Sequence, residues 1–492
     1  MNHYIGIDLG TSSLKGILTD GNGKILWQAT AGYPVLYPQP GWTEQNPSDW
    51  MTALDKVLGS LLAGAAEGKG NVVKSVRGIS FGGQMHGLVA LNRAGEVVRP
   101  CILWNDGRTE KQTEYLNDTV GKRTLSKLTG NIAFAGFTAP KLLWLRENEP
   151  ENFSRIAKIM LPKDYLAYRL SGAFATDYSD ASGTLLLDVK NRRWSQKMLA
   201  ICGIAMEQLP ELHESYDVIG MLKSDIADRF GLSPDVKIII GAGDNAAAAV
   251  GTGTVRDGDC NVSLGTSGTI LISQDRFYAD SKNALHSFAH ANGKWHLMGC
   301  ILSAASCRKW WLEGIVGIDY QRDDEEVAQV DTQDLLFLPY LSGERSPHND
   351  VNAKGAFVGL TATTTRAQMS RAVMEGVAFA IRDCLKTAES NGVRPTSTKL
   401  CGGGASSAPW RQIVSDVLNM PVQIPATEQG PSFGAAILAM VGCGEYPDVA
   451  AAAEKTVTVG DTVTPDPAQA ARYQAKYEKY AKLYPALKPL LW

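Results

Sequence analysis

The tetrapeptide Leu-Gly-Thr-Ser occurs twice, at Leu9–Ser12 within "YIGIDLGTSSLKGIL" and at Leu264–Ser267 within "NVSLGTSGTILI". Each copy lies between two apolar runs that alternate like strands, so each reads as a strand, a tight turn and a returning strand. A chain carrying the same small-residue hairpin in both halves is constrained to two related units rather than one continuous core. Its 492 residues agree, because single hydrophobic cores stop growing well below that length.

The elements around the turns repeat in order. In the first half, strands over Tyr4–Leu9, Leu14–Thr19 and Lys24–Thr30 are joined by the Gly-Thr-Ser-Ser turn and by "DGNG", whose Asn and Gly tolerate positive φ. Three antiparallel strands are therefore expected. "NPSDWMTALDKVLGSLLAGAA" then spaces Trp50, Leu54, Val57, Leu58, Leu61 and Leu62 helically behind Pro47, with Asn46 as candidate N-cap, and "VRGISFGG" supplies a buried strand. The second half offers two strands around its Gly-Thr-Ser turn and two more around Asn292-Gly293. A helix over Leu302–Val316, a long helix over Thr365–Ser390, a strand ending in "CGGGAS" and a helix over Pro409–Asn419 follow. "GTGTVRDG" breaks the periodicity near Gly251–Gly258, which divides the chain into residues 1–250 and 251–492. The tail "ARYQAKYEKYAKLYPALKPLL" reads as an amphipathic helix docked on the core.

Composition excludes several classes. A hydrophobic share of 44%, a charged share of 20% and a formal net charge of -3 give no basic surface for nucleic acid. No apolar run is long enough to span a bilayer and no basic leader precedes Tyr4, so a cytoplasmic, membrane-free protein is expected. The 8 cysteines are scattered with no Cys-x-x-Cys pair, which argues for reduced core thiols rather than a zinc site or disulfides. His286, His290 and His296 lack the cysteine or acidic company of a metal site.

Five stretches carry chemistry. The turns Gly10-Thr11-Ser12 and Gly265-Thr266-Ser267 expose backbone amides and hydroxyls with little bulk in front of them, which suits phosphate oxygens. Asp8, just before the first turn, adds a carboxylate for a phosphate-bound Mg²⁺, whereas the second copy has Ser263. "LCGGGASSAPWRQIV" runs a strand through three glycines into a helix, so a ligand can approach the backbone. In "VKIIIGAGDNAAAAVG", Asp244 reads either as a helix N-cap or as the acceptor of a substrate hydroxyl proton. "FGGQMHGLV" places Gln84 and His86 on a glycine-rich turn after a buried strand, where open α/β sheets bind ligands. In "LWNDGR", Asp106 and Arg108 read equally as site residues or as a structural ion pair.

Taken together, these motifs resemble the FGGY family of carbohydrate kinases over almost the whole chain. "GFTAPKLLWLREN" and "GAFVGLTATTTRAQMSRAVMEG" are similar to the two family signatures. The resemblance implies an α/β fold of two actin-like ATPase, ribonuclease-H-like domains: sugar in residues 1–250, ATP in 251–492, and an active-site cleft between. "GQMHG", "ILWNDGR", "LPKDYL", "SLGTSG" and "FLPYLSGERSPHN" most resemble members that phosphorylate D-xylulose on its 5-hydroxyl with MgATP. By that resemblance Asp244 is the catalytic base, Met85, His86, Trp104 and Asn245 contact sugar, and Asp8 lies on the Mg²⁺ side. The two turns hold phosphates, Gly403 and Gly404 the adenosine, and Trp310 lies at the nucleotide site. Where several relatives carry an adenine-contacting Asn, this chain has Ala408. Closure of the halves on the sugar is implied, and a homodimer by family analogy alone. The alternatives are a kinase of another sugar or polyol (L-xylulose, ribulose, glycerol) and an actin-like ATPase without sugar kinase activity.

Overall fold

Two mixed sheets, one in each half of the chain, follow a single strand plan. The computed structural model describes residues 1–67, 72–280, 282, 284–426 and 430–491. The first sheet contains β1 (His3–Leu9), β2 (Ser13–Asp20), β3 (Ile25–Gly32), β4 (Val76–Gly83), β5 (Val218–Met221) and β6 (Lys237–Ile239), in the order β5-β6-β4-β1-β2-β3. The second contains β7 (Cys260–Leu264), β8 (Gly268–Gln274), β9 (His286–Ala289), β10 (Trp295–Ile301), β11 (Thr398–Cys401), β12 (Val422–Pro425) and β13 (Val459–Val463), in the order β13-β12-β11-β7-β8-β10-β9. Reading β7 for β1, β8 for β2, β10 for β3, β11 for β4, β12 for β6 and β13 for β5 superimposes the two orders; β9 is extra in the second sheet, and the two-residue strand Ala242–Gly243, parallel to β4, is extra in the first. The senses match as well. β1 runs parallel to β4 and antiparallel to β2, as β7 runs parallel to β11 and antiparallel to β8. The repeat that is faint in letters is thus explicit in topology.

Helices cover the sheets where the apolar spacing expects them. α1 (Pro47–Glu67) lays Trp50, Leu54, Val57, Leu58 and Leu61, all buried, over β2 and β3. In the first half α2 (Thr138–Asn148) and α3 (Pro162–Ser171) follow, and α4 (Asp244–Gly251) leads out of the sheet. In the second half α5 (Arg366–Ser390) starts at Thr365, whose hydroxyl accepts the Gln368 amide while the Gln368 side chain returns to the Thr365 amide. α6 (Ala408–Leu418) follows the glycine-rich loop, and α7 (Gly430–Gly442) crosses back onto the first sheet. There a Cβ on Gly6 would lie 2.0 Å from the Ser432 carbonyl, and one on Gly434 would lie 1.8 Å from the Ala247 carbonyl. Only glycine lets α7 approach β1 and α4 so closely.

Two expected helices differ in extent. The helix expected from Leu302 begins at Ala305 and passes at Trp310 into a π-helical stretch ending at Val316. Its start is delayed because the Ala304 and Ala305 amides already donate to the Thr266 and Gly265 carbonyls, at 3.0 and 2.8 Å. The tail is two helices, α8 (Pro467–Tyr480) and α9 (Leu483–Leu491), rather than one. Tyr473, Tyr477 and Tyr480 are buried around Phe379, so α8 is part of the second core. Among the described residues no helix is long and apolar enough to cross a membrane.

Candidate active site

The sheet plan brings the ends of β1, β4 and β6 together with the first turn of α4. Asp8 lies near the end of β1, opposite Lys15 on β2 and Gly82 on β4; in the second sheet Ser263 holds the equivalent register, opposite Thr269 and Cys401. Beyond Asp8, the Gly10 amide closes the turn on the Ser13 carbonyl at 3.0 Å. The Trp104 indole N–H donates to Thr11 Oγ1 at 3.0 Å, so Trp104 braces the first turn. Gln45, which nothing in the sequence singles out, donates to the Thr11 carbonyl and accepts from Gln84 Nε2 at 2.8 Å and Trp50 Nε1 at 3.0 Å. Ser12 is left exposed at the tip. In the second turn the Gly265 and Thr266 carbonyls are taken by the helix start at Ala305, with Ser306 Oγ adding a bond to Thr266 at 2.7 Å.

Asp244 is the first residue of α4, and Gly243 occupies the N-cap position. The Asp244 carboxylate accepts from the amide and side chain of Asn245, at 2.7 and 2.9 Å, instead of capping the helix. Burial, with the Asp8 charge adding to it, pushes the Asp244 carboxyl up to about 7, and burial pushes Asp8 up to about 6 against the pull of Lys15. The turn before Asp244 is fixed from behind. The Gly243 amide donates to Ser179 Oγ at 3.1 Å, Ser179 Oγ donates to Asp177, and Asp177 pairs with Lys163 at 2.9 Å. Lys163 also pairs with Asp164 at 2.6 Å, and all these ionic side chains are fully buried. Burial opposes the Lys163 charge, but the surrounding carboxylates outweigh it and keep the ammonium protonated.

Met85 and His86 leave the end of β4 beside this turn. Met85 packs where a Cβ on Gly243 would lie, with its sulfur 3.9 Å from Asn245 Nδ2. His86 has φ 70, and its Nδ1 is 2.8 Å from the Gly183 carbonyl. Burial, then Lys141, hold His86 neutral, so Nδ1 carries the proton and Nε2 is left as an acceptor for a hydroxyl. Its ring stacks on Phe137 at 4.7 Å. Asp106 and Arg108 form the structural alternative: their side chains pair at 2.8 Å with no exposure, and the guanidinium also meets Glu44 and the face of Trp42.

A cavity of about 440 Å³ joins the halves, with Asp244 and Asn245 on one wall and Ser263, Cys401, Gly402 and Gly403 on the other. Gly402 has φ 85, and a Cβ there would meet the Leu264 carbonyl carbon at 2.7 Å; Gly404 would meet Leu264 and Trp410. Gly403 has nothing within 4 Å of its Cβ position and opens onto the cavity. Ala408 begins α6 behind it, capped by Ser407, whose hydroxyl donates to Asp324 at 2.6 Å. Trp310 is not among the residues that line this cavity: it is 37% exposed and its ring stacks on Phe337 at 6.2 Å.

A cleft of this kind between two sheets of one plan defines a class, and comparison with known proteins identifies it. The N-terminal domain model of the FGGY family of carbohydrate kinases matches residues 3–251, and the C-terminal domain model matches residues 260–443. The chain belongs to that family and is a sugar kinase with the actin-like ATPase fold, and kinases of this family use ATP. In sequence it is 39% identical over 492 residues to the xylulose kinase of Klebsiella pneumoniae, covering 99% of this chain and 100% of that one. In structure it matches the xylulose kinase of Brucella ovis with a TM-score of 0.95 at 40% identity, covering 99% and 100% of the two chains. It also matches a gluconate kinase of Lactobacillus acidophilus with a TM-score of 0.94 at 28% identity, covering 100% and 99%.

Proposed function

We propose that this kinase transfers the γ-phosphoryl group of ATP to the 5-hydroxyl of D-xylulose, giving D-xylulose 5-phosphate and ADP, with Asp244 as general base. The observation that carries the reading is Asp244 itself: a half-buried carboxylate with its pKa pushed up to about 7, facing the cavity shared with Gly403 and anchored from behind through Gly243. A base poised near neutral pH takes a hydroxyl proton most effectively. The xylulose kinases at 39% and 40% identity supply the choice of sugar.

In this reading residues 1–250 bind the sugar. The neutral His86 accepts a hydroxyl at Nε2, Met85 supplies an apolar wall, and Asn245 both steadies Asp244 and reaches the sugar. Trp104 acts through the Thr11 turn. Residues 251–492 bind the nucleotide, with Gly403 and Gly404 against the adenosine, Trp310 at the outer edge, and Gly265–Ser267 facing Gly10–Ser12 across the phosphates. Asp8 fits a Mg²⁺ ion, because its Oδ1 is buried without a hydrogen-bond partner at the end of β1. Bound there, the ion would offset phosphate charge. The chain's own residues do the rest: Asp244 receives the proton, the turns donate to phosphoryl oxygens, and closure of the halves excludes water.

The test is ADP release from MgATP by wild type and Asp244→Asn with D-xylulose, L-xylulose, D-ribulose, glycerol, D-gluconate and no sugar. Strong turnover with D-xylulose alone, abolished in the variant while sugar still binds, supports the reading. Turnover favouring another sugar overturns the substrate, and substantial activity in the variant overturns the base.

A further inference from the structure

The stretch "FLPYLSGERSPHN" contains an arginine that the reaction scheme leaves unused. Arg345 stands between two anchored residues. On one side Glu344 is buried, and its Oε1 accepts the Leu302 amide at 3.0 Å and the Arg345 amide at 2.7 Å. On the other, Ser346 is bonded twice to Cys300, amide to carbonyl at 2.9 Å and Cys300 amide to Ser346 Oγ at 3.1 Å. The Glu344 carboxylate is thus engaged by backbone, and among the described residues no carboxylate forms an ion pair with the Arg345 guanidinium.

The guanidinium points instead into the first half. Its carbon lies 5.4 Å from the centre of the Phe134 ring, which packs against Phe137 at 5.3 Å and His286 at 4.9 Å. Phe137 is the ring on which His86 stacks, so Arg345 caps an aromatic row that ends at the sugar-site histidine. His286 is 3% exposed and its Nε2 has no hydrogen-bond partner, so a buried polar atom beside the Phe134 ring lacks a partner within the protein. A half-buried guanidinium over the Phe134 ring, with five N–H donors and no carboxylate paired to it among the described residues, has donors to offer the oxygens of a ligand.

We propose that Arg345 is a sugar-binding residue supplied by the second half of the chain, donating to the hydroxyl or carbonyl oxygens of the ketose held by His86. This rests on the sugar-kinase reading of the site, and it makes the sugar pocket a joint product of both halves. Hydrogen bonds from a charged donor to a bound hydroxyl correspond to roughly 10- to 100-fold in affinity.

The experiment compares wild type, Arg345→Gln and Arg345→Lys by steady-state kinetics with sugar and ATP varied separately, and by calorimetric titration of the sugar without nucleotide. Arg345→Gln is expected to raise the sugar KM and Kd by roughly 10- to 100-fold, leave the ATP KM within about 2-fold, and leave the melting temperature near that of wild type. Arg345→Lys is expected to recover part of the loss, which also guards against misfolding of the Gln variant. A sugar Kd unchanged in both variants, or an ATP KM that rises as much as the sugar KM, overturns the proposal. If wild type turns over a sugar other than D-xylulose, the substrate reading fails, and the same variants assayed with that sugar still test Arg345.

Discussion

Replacing the Asp244 carboxylate with its amide should stabilise the protein while inactivating it. The folded protein holds this carboxyl at about 7, against 3.8 for the free group. Below pH 4 both states are protonated and the site costs nothing. Between about 4 and 7 the unfolded chain is ionised while the folded one keeps its proton, so stability falls as pH rises. Above about 7 the whole cost is present, about 4 kcal/mol at most. In Asp244→Asn the Asn245 amide keeps an acceptor at the same place, so little else is lost. A domain of this size shifts its melting temperature by about 2–4 °C per kcal/mol. With half the cost given up to imperfect fit, Asp244→Asn should melt about 4–8 °C above wild type at pH 8. At pH 5 the remaining cost is about 1.6 kcal/mol, and the gap should shrink by more than half. Scanning calorimetry of both proteins from pH 5 to 8, without Mg²⁺ or nucleotide, reads this directly. A variant no more stable than wild type at pH 8, or a gap that does not change with pH, would refute the argument. The same titration predicts that kcat/KM of wild type falls about tenfold per unit below pH 7.

Trp104→Phe removes the indole donor to Thr11 and should raise the ATP KM by about 2- to 10-fold with little change in the sugar KM. A rise confined to the sugar KM would instead make Trp104 a direct sugar contact. Lys163→Met leaves Asp164 and Asp177 buried without their cation, and should lower stability by about 3–5 kcal/mol, read as loss of soluble protein or a depressed melting temperature. A Lys163→Met protein that melts like wild type would show that the surrounding carboxylates are already neutral.

What could be read from the sequence was local. Alternation and Asn-Gly turns located β1 to β3, helical spacing located α1, and the repeated Gly-Thr-Ser turn announced the second sheet, because each signal lies within a dozen residues. Asp244 could be placed at a strand-to-helix junction, yet only the folded backbone shows that Gly243, not Asp244, stands at the cap. Gln45 had no signal, since its partners Thr11 and Gln84 lie far away in the chain. The Lys163–Asp177–Ser179 chain to Gly243 was equally hidden: it joins three segments that only the tertiary fold brings together. The helix start at Ala305 was missed because a turn some forty residues earlier takes its first amides.

The return of α7 onto β1 has a consequence for how the chain is made. Strands β1 to β6 and α4 leave the ribosome first, but the helix that covers Gly6 and locks against Ala247 is encoded in residues 430–442. At about 5–20 residues per second, the interval between α4 and α7 is roughly 10–40 s. For that time the first half has the strands of its sheet but not the helix that covers them, and one apolar face waits in the open for α7, which follows β7 to β12 in the chain. The first half is therefore completed only after β7 to β12 of the second half have been made.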